Sequence, residues 1–272
     1  MIYGQCTMDP SWTQFNETTW FHWTSAILGS CLVGLSGVIP LILLPQKPRG
    51  SVKSEDDNSS KRNLNRQLSF AVGGLLGDVF LHLLPESYAY NHSNTGLWII
   101  LGILCFLIIE KVFEQSSNEQ VKSKRITGYL NLLANCIDNF IHGLAVASSF
   151  LGSTKLGLTT VLAILVHEIP HEIGDFAILL NSGFSRFEAA KAQLATAGIG
   201  LLGACFALWV DAVDATQAAS LWILPFSAGG FLNIALVSVL PDILKEEDPK
   251  ECFIQLICLL LGVTVMSVLC LL

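Results

Sequence analysis

Hydrophobic positions in this chain fall in long unbroken windows, not in the alternating or short amphipathic patterns of a soluble domain. Windows of about 20 apolar residues can cross a bilayer as helices. Eight can be marked, at about 24–44, 68–90, 96–114, 127–150, 156–181, 188–210, 219–244 and 252–272. The connectors are short, which predicts an all-α, polytopic membrane protein with eight transmembrane helices in one domain, residues 1–272. Residues 1–23 read as an outer N-terminal segment. Residues 45–67, rich in Ser, Asn and charges, read as a mobile cytosolic loop.

One window is broken by charge. Residues 167 to 175 read HEIPHEIGD, and His167, Glu168, His171, Glu172 and Asp175 lie among Leu162, Ile164, Leu165, Phe176, Ile178 and Leu179. At roughly 100° per residue, all five fall on an arc about 140° wide. Each charge at the bilayer centre costs about 3 kcal/mol or more. The arc therefore turns toward a metal, a partner helix or a water-filled cavity.

Span four carries a matching set. Asp138 and His142 stand at i and i+4 on one face, with Asn139 beside them, and His167 and His171 repeat that spacing on span five. The outer connector, about 151–155, is short, so the two helices are expected to be antiparallel with both pairs at similar depth. Pro170 cannot donate to the carbonyl of Val166 and is expected to kink or loosen span five there. Imidazoles with carboxylates and an amide oxygen suit a divalent transition metal, and the absence of thiolates argues against copper(I). In span two, Asp78, His82 and Glu86 share a face at four-residue intervals. They read either as a vestibule or relay for metal or as a polar interhelical contact. Glu110, near the inner end of span three, reads as a snorkelling or capping charge.

Composition and charge set orientation more than partners. The chain is 52% hydrophobic and 14% charged, with a formal net charge of −7. Of its 15 basic residues, all but Lys155 fall on one side if the N-terminus is outside. By the positive-inside rule, both termini are then luminal or extracellular. Residues 1–23 lack the basic and apolar regions of a cleavable signal peptide, and Trp12, Trp20, Phe21 and Trp23 look like an aromatic interface belt. Asn16 and Asn91 are glycosylation acceptors on the outer side, while Asn58 is on the inner side. The cysteines show no CxxC pairing, and only Cys6 lies in an outer segment, which argues against an intrachain luminal disulfide.

The sequence also repeats itself. Gly73-Gly74 and Gly229-Gly230 are each followed, at one spacing, by Leu-Pro-acid: Leu84-Pro85-Glu86 and Leu240-Pro241-Asp242. The two copies run in opposite directions, an inverted repeat of spans one to three and six to eight around central spans four and five. Such repeats point to secondary transporters that alternate access.

HEIPH also matches H-E-x-x-H, the zinc signature of metalloproteases, in which the Glu is the general base. An intramembrane zinc metalloprotease is thus the alternative function. Pro170 inside the motif, and the lack of an Asp-Gly dipeptide to supply a third ligand, count against it.

At these residues the chain resembles the ZIP (Zrt/Irt-like) metal-transporter family, in its LIV-1 branch. The signature HExPHExGD is met at all nine positions from His167 to Asp175. Asp138-Asn139-Phe140-Ile141-His142-Gly143, the HLLPE of span two and the AGGF-to-LPD stretch of span seven fit too. The resemblance implies an eight-helix transporter, usually a homodimer in membrane lipid, that carries zinc first and iron(II) next into the cytosol. It implies metal ligands at Asp138, Asn139, His142, His167, Glu168 and His171, and adds Gln193 on span six. With Asp78, His82, Glu86, Glu172 and Asp175, Gln193 completes a candidate metal pathway. Golgi or endoplasmic reticulum membrane is the implied location. Neither an organic cofactor nor a nucleic-acid partner is expected. In most relatives span four has His first and carboxylate last; here Asp138 precedes His142. The branch's His-rich loops are missing too: the outer segments hold only His22 and His92, and residues 115–126 hold none.

Overall fold

The computed structural model describes residues 17–43, 55–90, 93–115, 120–210 and 219–270, which are helical with short turns and no strand among them. Among the described residues, eight helices follow in chain order. α1 is Glu17–Leu35, extended by a 3-10 turn at Ser36–Val38 and a short helix at Ile39–Leu43; α2 runs from Glu55–Asp78 through a π turn at Val79–Leu83 to Leu84–Tyr90. α3 is Thr95–Gln115, α4 Gln120–Gly152, α5 Thr154–Asn181 and α6 Arg186–Trp209. α7 joins a π turn at Ala219–Ile223, a helix at Leu224–Asn233, a second π turn at Ile234–Val239 and Leu240–Ile243; α8 is Pro249–Leu269.

Local chemistry sets these boundaries. A proline ring clashes with the carbonyl four residues earlier in a regular α turn. Pro85, Pro225 and Pro241 each stand two residues beyond a π turn, so the opposed carbonyls of Leu81, Leu221 and Val237 all lie where the helix is widened. Such π bulges favour functional positions. Pro170 is different, for α5 continues through it as one helix, and the expected loosening is not a break. Between α4 and α5 the turn shrinks to Ser153, whose hydroxyl caps α5 by accepting from Leu156 N at 3.1 Å. α5 ends in a Schellman turn at Gly183, φ 83°, with Phe184 N to Leu179 O and Gly183 N to Leu180 O both at 3.1 Å. Ser185 and Glu188 then form a capping box that starts α6.

Packing separates the helices into two bodies. α1, α4, α5 and α6 pack together around Val33, Leu144, Phe150, Val161 and Leu208. α2 packs on α8 and α3 on α7, with a core that includes Leu68, Val72, Phe106 and Phe231 and reaches Leu130 and Ile178 of α4 and α5. The tightest crossings use glycine. A Cβ at Gly73 would drive into the carbonyl of Leu259, and one at Gly262 into that of Phe70. The α3–α7 crossing repeats this: Gly229 abuts the carbonyl of Ile99, and Gly102 that of Phe226. Phe70 and Phe226 each precede their glycine by three residues, as do Ile99 and Leu259. The inverted repeat read from Gly-Gly and Leu-Pro-acid is therefore present in packing as well. A third crossing of the same kind joins α4 and α6, through Gly143 against Gly200 and Gly203 against Phe140. Without water to drive association, such backbone approach is how membrane helices gain contact.

The structure bears on two expectations. Seven of the described helices are long and apolar enough to cross a membrane, and α4 is not among them. It is 33 residues long, but Asn131, Asn135, Asp138, Asn139 and His142 dilute its apolar stretch. The expected loop 45–67 is shorter than its composition suggested. Residues 44–54 lie outside the described residues, whereas 55–67 are helical. Arg66 grips the buried carboxylate of Glu251 at the start of α8 with two bonds, 2.7 and 3.0 Å, and Arg62 reaches Asp248 at 3.3 Å. Polar composition here marks an interhelix clamp. Residues 17–23 of the expected outer segment are helical too, while Asn16 and Asn91 lie outside the described residues.

The seams give a sharp contrast. Overpacking a filled contact costs about 1–3 kcal/mol, so Gly73→Ala and Gly229→Ala should lower the apparent Tm of the detergent-purified protein. A Cβ at Gly74 meets nothing within 4 Å, and Gly74→Ala should leave Tm unchanged or raise it. Equal losses at Gly73 and Gly74 in a thermal-shift series would contradict the seam.

Candidate metal centre

α4 and α5 are antiparallel and face each other residue for residue. His142 Nδ1 lies 2.7 Å from Glu168 Oε1, Asn135 Nδ2 donates to Asp175 Oδ2 at 2.5 Å, and Gly128 lies against Ser182. The depth match expected of the two i,i+4 pairs is thus present. All five groups of the α5 arc are buried, as are Asp138, Asn139 and His142.

The ionisable groups form two neighbouring clusters. Asp138, His142 and Glu168 make one, and Asp78, His82 and His167 the other, with one possible ligand atom from each residue within 4.8 Å of the others in its cluster. Asp78, fully buried in α2, is the pivot of the second. Its Oδ1 lies 3.1 Å from His167 Nε2 and 3.2 Å from His82 Nδ1, and its Oδ2 lies 4.0 Å from His171 Nε2. His142 and His167 bring the clusters together, with ring centroids 6.1 Å apart.

Donor atoms in these clusters are short of partners. Asp78 Oδ2, His142 Nδ1, Glu168 Oε1 and His171 Nε2 make no hydrogen bond among the described residues. His142 Nδ1 and Glu168 Oε1 are close yet not aligned on each other, an arrangement that suits two ligands aimed at a common ion. Buried polar atoms are normally satisfied, and these four are each of a metal-ligand type.

The other expected residues are placed as follows. His171 Nδ1 lies 3.6 Å from Asp175 Oδ2, and its ring packs edge-on against Phe231 of α7. Asn139 donates its amide to Asn135, to the carbonyl at 3.1 Å and to the side-chain oxygen. Glu172 is engaged by Gln193 of α6, which donates to its carboxylate at 2.5 Å and its carbonyl at 2.9 Å. Those two bind each other and belong to neither cluster. Glu86 continues the α2 face, 3.5 Å from His82 Nε2; the side chains of His82 and Glu86 are 35% and 39% exposed, so the second cluster opens toward them.

A family profile described as ZIP Zinc transporter matches residues 22–120 and 113–270. The chain belongs to this family. Among its relatives, the Zinc transporter ZIP13 of Pongo abelii is 53% identical over 258 residues, spanning 90% of this chain and 77% of that protein. The Zinc transporter ZIP13 of Homo sapiens is 47% identical, over 90% of this chain and 80% of its own. The Zinc transporter ZIP13 homolog of Drosophila melanogaster is 43% identical, over 98% and 94%. In a ZIP chain HEIPH belongs to a transporter signature, and nothing in these similarities points to a protease.

Three features of this ZIP protein escaped the sequence reading. Asn131 and Asn135 share an arc of about 60° with Asp138 and His142. They carry that polar face inward, with both polar atoms of Asn131 unpartnered among the described residues. The helical spacing was there to be used. Asp78, left undecided between relay and packing, stands at the centre because α2 docks on α5, which no local pattern reveals. Glu110 does not snorkel: Ser238 and Asn233 of α7 donate to it.

Removal of Asp78 separates the roles. Asp78→Asn takes an anion from beside three imidazoles and should lower affinity for cobalt(II), followed by its visible spectrum, by about 10–100-fold. Glu172→Gln, outside both clusters, should change that affinity little. The reverse ranking would mean that the ion sits near α6.

Proposed function

We propose that the protein is an eight-helix transporter, with α4 as its eighth span, that carries zinc across a membrane, iron(II) being the next candidate. One observation carries the reading. Two clusters of carboxylates and imidazoles adjoin between α2, α4 and α5, with Asp78 Oδ2, His142 Nδ1 and Glu168 Oε1 buried and without a hydrogen bond among the described residues, in a chain of the ZIP family. Zinc comes from the printed names of the relatives.

The ion is taken up at the half-exposed pair Glu86 and His82, and loses water to Asp78 and His167. It then passes the short His167–His142 gap to Asp138, His142 and Glu168, with His171 beside both clusters. Asn139 contributes through its amide oxygen, while Asp175, backed by Asn135, lies on the inward side. Oxygen and imidazole ligands suit a site that must also release. The basic residues Arg62, Arg66 and Lys124 lie on the cytosolic face under the positive-inside rule, so an ion taken up at Glu86 and His82 on the other face is released toward the cytosol.

The packing also constrains the motion. The α2–α8 and α3–α7 seams each pair a helix of one repeat half with a helix of the other, so rocking half against half would break both. The body α1, α4, α5, α6 shifts instead against α2, α3, α7, α8. The ion sits on that divide, because Asp78 and His82 belong to one body and His142, His167 and Glu168 to the other. A homodimer in a Golgi or endoplasmic reticulum membrane completes the reading.

Flux in proteoliposomes tests it, with zinc, iron(II) and manganese(II) in competition. Zinc should be accumulated, and His167→Ala with His171→Ala should abolish uptake, since each change removes a nitrogen from a dry site. Metal-dependent cleavage of a membrane substrate that Glu168→Gln eliminates would overturn the transport reading.

A further inference from the structure

The two bodies meet at more than one depth. Midway, Asp78 of α2 reaches His167 and His171 of α5. A second ion pair crosses the divide far from the clusters: Lys124 Nζ, near the start of α4, lies 2.8 Å from Asp242 Oδ2 of α7. Lys124 stands about 21 Å along α4 from Asp138. Between that pair and the clusters the divide is apolar. Leu130 of α4 and Ile178 of α5 share one buried core with Leu68 of α2 and with Val239 and Ile243 of α7.

The repeat shows what sets Asp242 apart. Aligning Gly73 with Gly229 puts the acids of the two Leu-Pro-acid stretches in register, Glu86 with Asp242. These acids lie toward opposite ends of the molecule, since Leu84–Tyr90 packs on Ala219–Ile223 while Leu240–Ile243 packs on Glu55–Asp78. Glu86 is 39% exposed and faces His82 at 3.5 Å. Asp242 is 23% exposed and is held by two ammonium groups, Lys124 and, from the turn after α7, Lys245, each at 2.8 Å. Lys245 belongs to the same body as Asp242 and travels with it. Lys124 belongs to the other body.

We propose that Lys124 and Asp242 form a latch that keeps the cytosolic end of the divide closed over its apolar layer, and that parts before the ion leaves on that side. The inference rests on the two-body motion of the transport reading. Equivalent acids then serve opposite ends differently: Glu86 stays open to an incoming cation, whereas Asp242 is spent on holding the bodies together. The exposure of the pair suits this task. Lys124 is 52% exposed, and an ion pair so close to water is weak enough to part in every cycle. A fully buried pair would hold the bodies fast, because parting it strands a charge away from water.

Cysteine labelling of the full-length protein in vesicles tests the latch. Ala134 of α4, 0% exposed in the shared core, is replaced by Cys. Its modification by a membrane-impermeant maleimide added on the Lys124 side is followed by peptide mass spectrometry. In that background Asp242→Asn and Lys124→Gln should each speed modification by about two- to fivefold. The double variant should be no faster than either single one, because both remove the same contact. Lys245→Gln leaves the pair between the bodies in place and should leave the rate unchanged. Raising salt from about 0.1 to 1 M should speed modification in the presence of the pair and not with Asp242→Asn, since exposed charges are screened. Unchanged rates in the single variants, effects that multiply in the double variant, an equal gain with Lys245→Gln, or a rate indifferent to salt would each overturn the latch. If Ala134→Cys does not fold, Leu130→Cys in the same core takes its place with the same readings. Vesicles that accumulate no zinc would defeat the transport reading instead; labelling needs no flux and still decides the latch.

Discussion

Asp78 holds a carboxylate with no exposed surface inside a membrane-length helix, and much of the structure is arranged around that charge. Burying an ion costs several kcal/mol unless partners and hydrogen bonds compensate. His82 comes from its own helix, and His167 and His171 from α5, so compensation requires α5 to dock on α2 with its polar arc turned inward. Once docked, the arc needs partners for its remaining groups. His142 meets Glu168, Asn135 meets Asp175 and Gln193 meets Glu172. One buried anion thereby fixes the relative placement of α2, α4, α5 and α6. The atoms left over are those that a cation would use.

Glycine seams perform the opposite task. The crossings of α2 with α8, α3 with α7 and α4 with α6 bring backbones together through their glycines, beside the Arg66–Glu251 and Glu110–Ser238 contacts of the first two. The protein thus divides its cohesion: glycine seams interlock helices within each body, and α2 meets α5 through the side chains of Asp78, His167 and His171. That division suits movement, since side-chain contacts can be remade at a new position, whereas an interlocked seam cannot.

The helices and the α5 arc were legible in the sequence because both follow from local periodicity. The π turns were half-legible: each Leu-Pro announces a disturbed helix, yet it does not say whether the helix kinks or widens, and Pro170 does neither visibly. Asn131 and Asn135 lay on an arc already drawn through Asp138 and His142 and went unused, since amides draw less attention than charges. The pairing of Asp78 with His167, and of Glu110 with Ser238, depends on which helix faces which. Sequence spacing carries no such information. Polarity misled at residues 55–67, where it signals a clamp to α8.

The reciprocal seams bear on the protein's ancestry. A chain holding only α1 to α3 would display the Gly73 surface of α2 and the Gly102 surface of α3 with neither one covered. Each surface fits the counterpart of the other, so what would cover both is a second copy of the same half inserted upside down. Two short chains with no fixed orientation in the membrane could have assembled in this way before fusion. On that view α4 and α5 are the joint that made the duplication permanent, and the metal site grew where the two copies were sewn together.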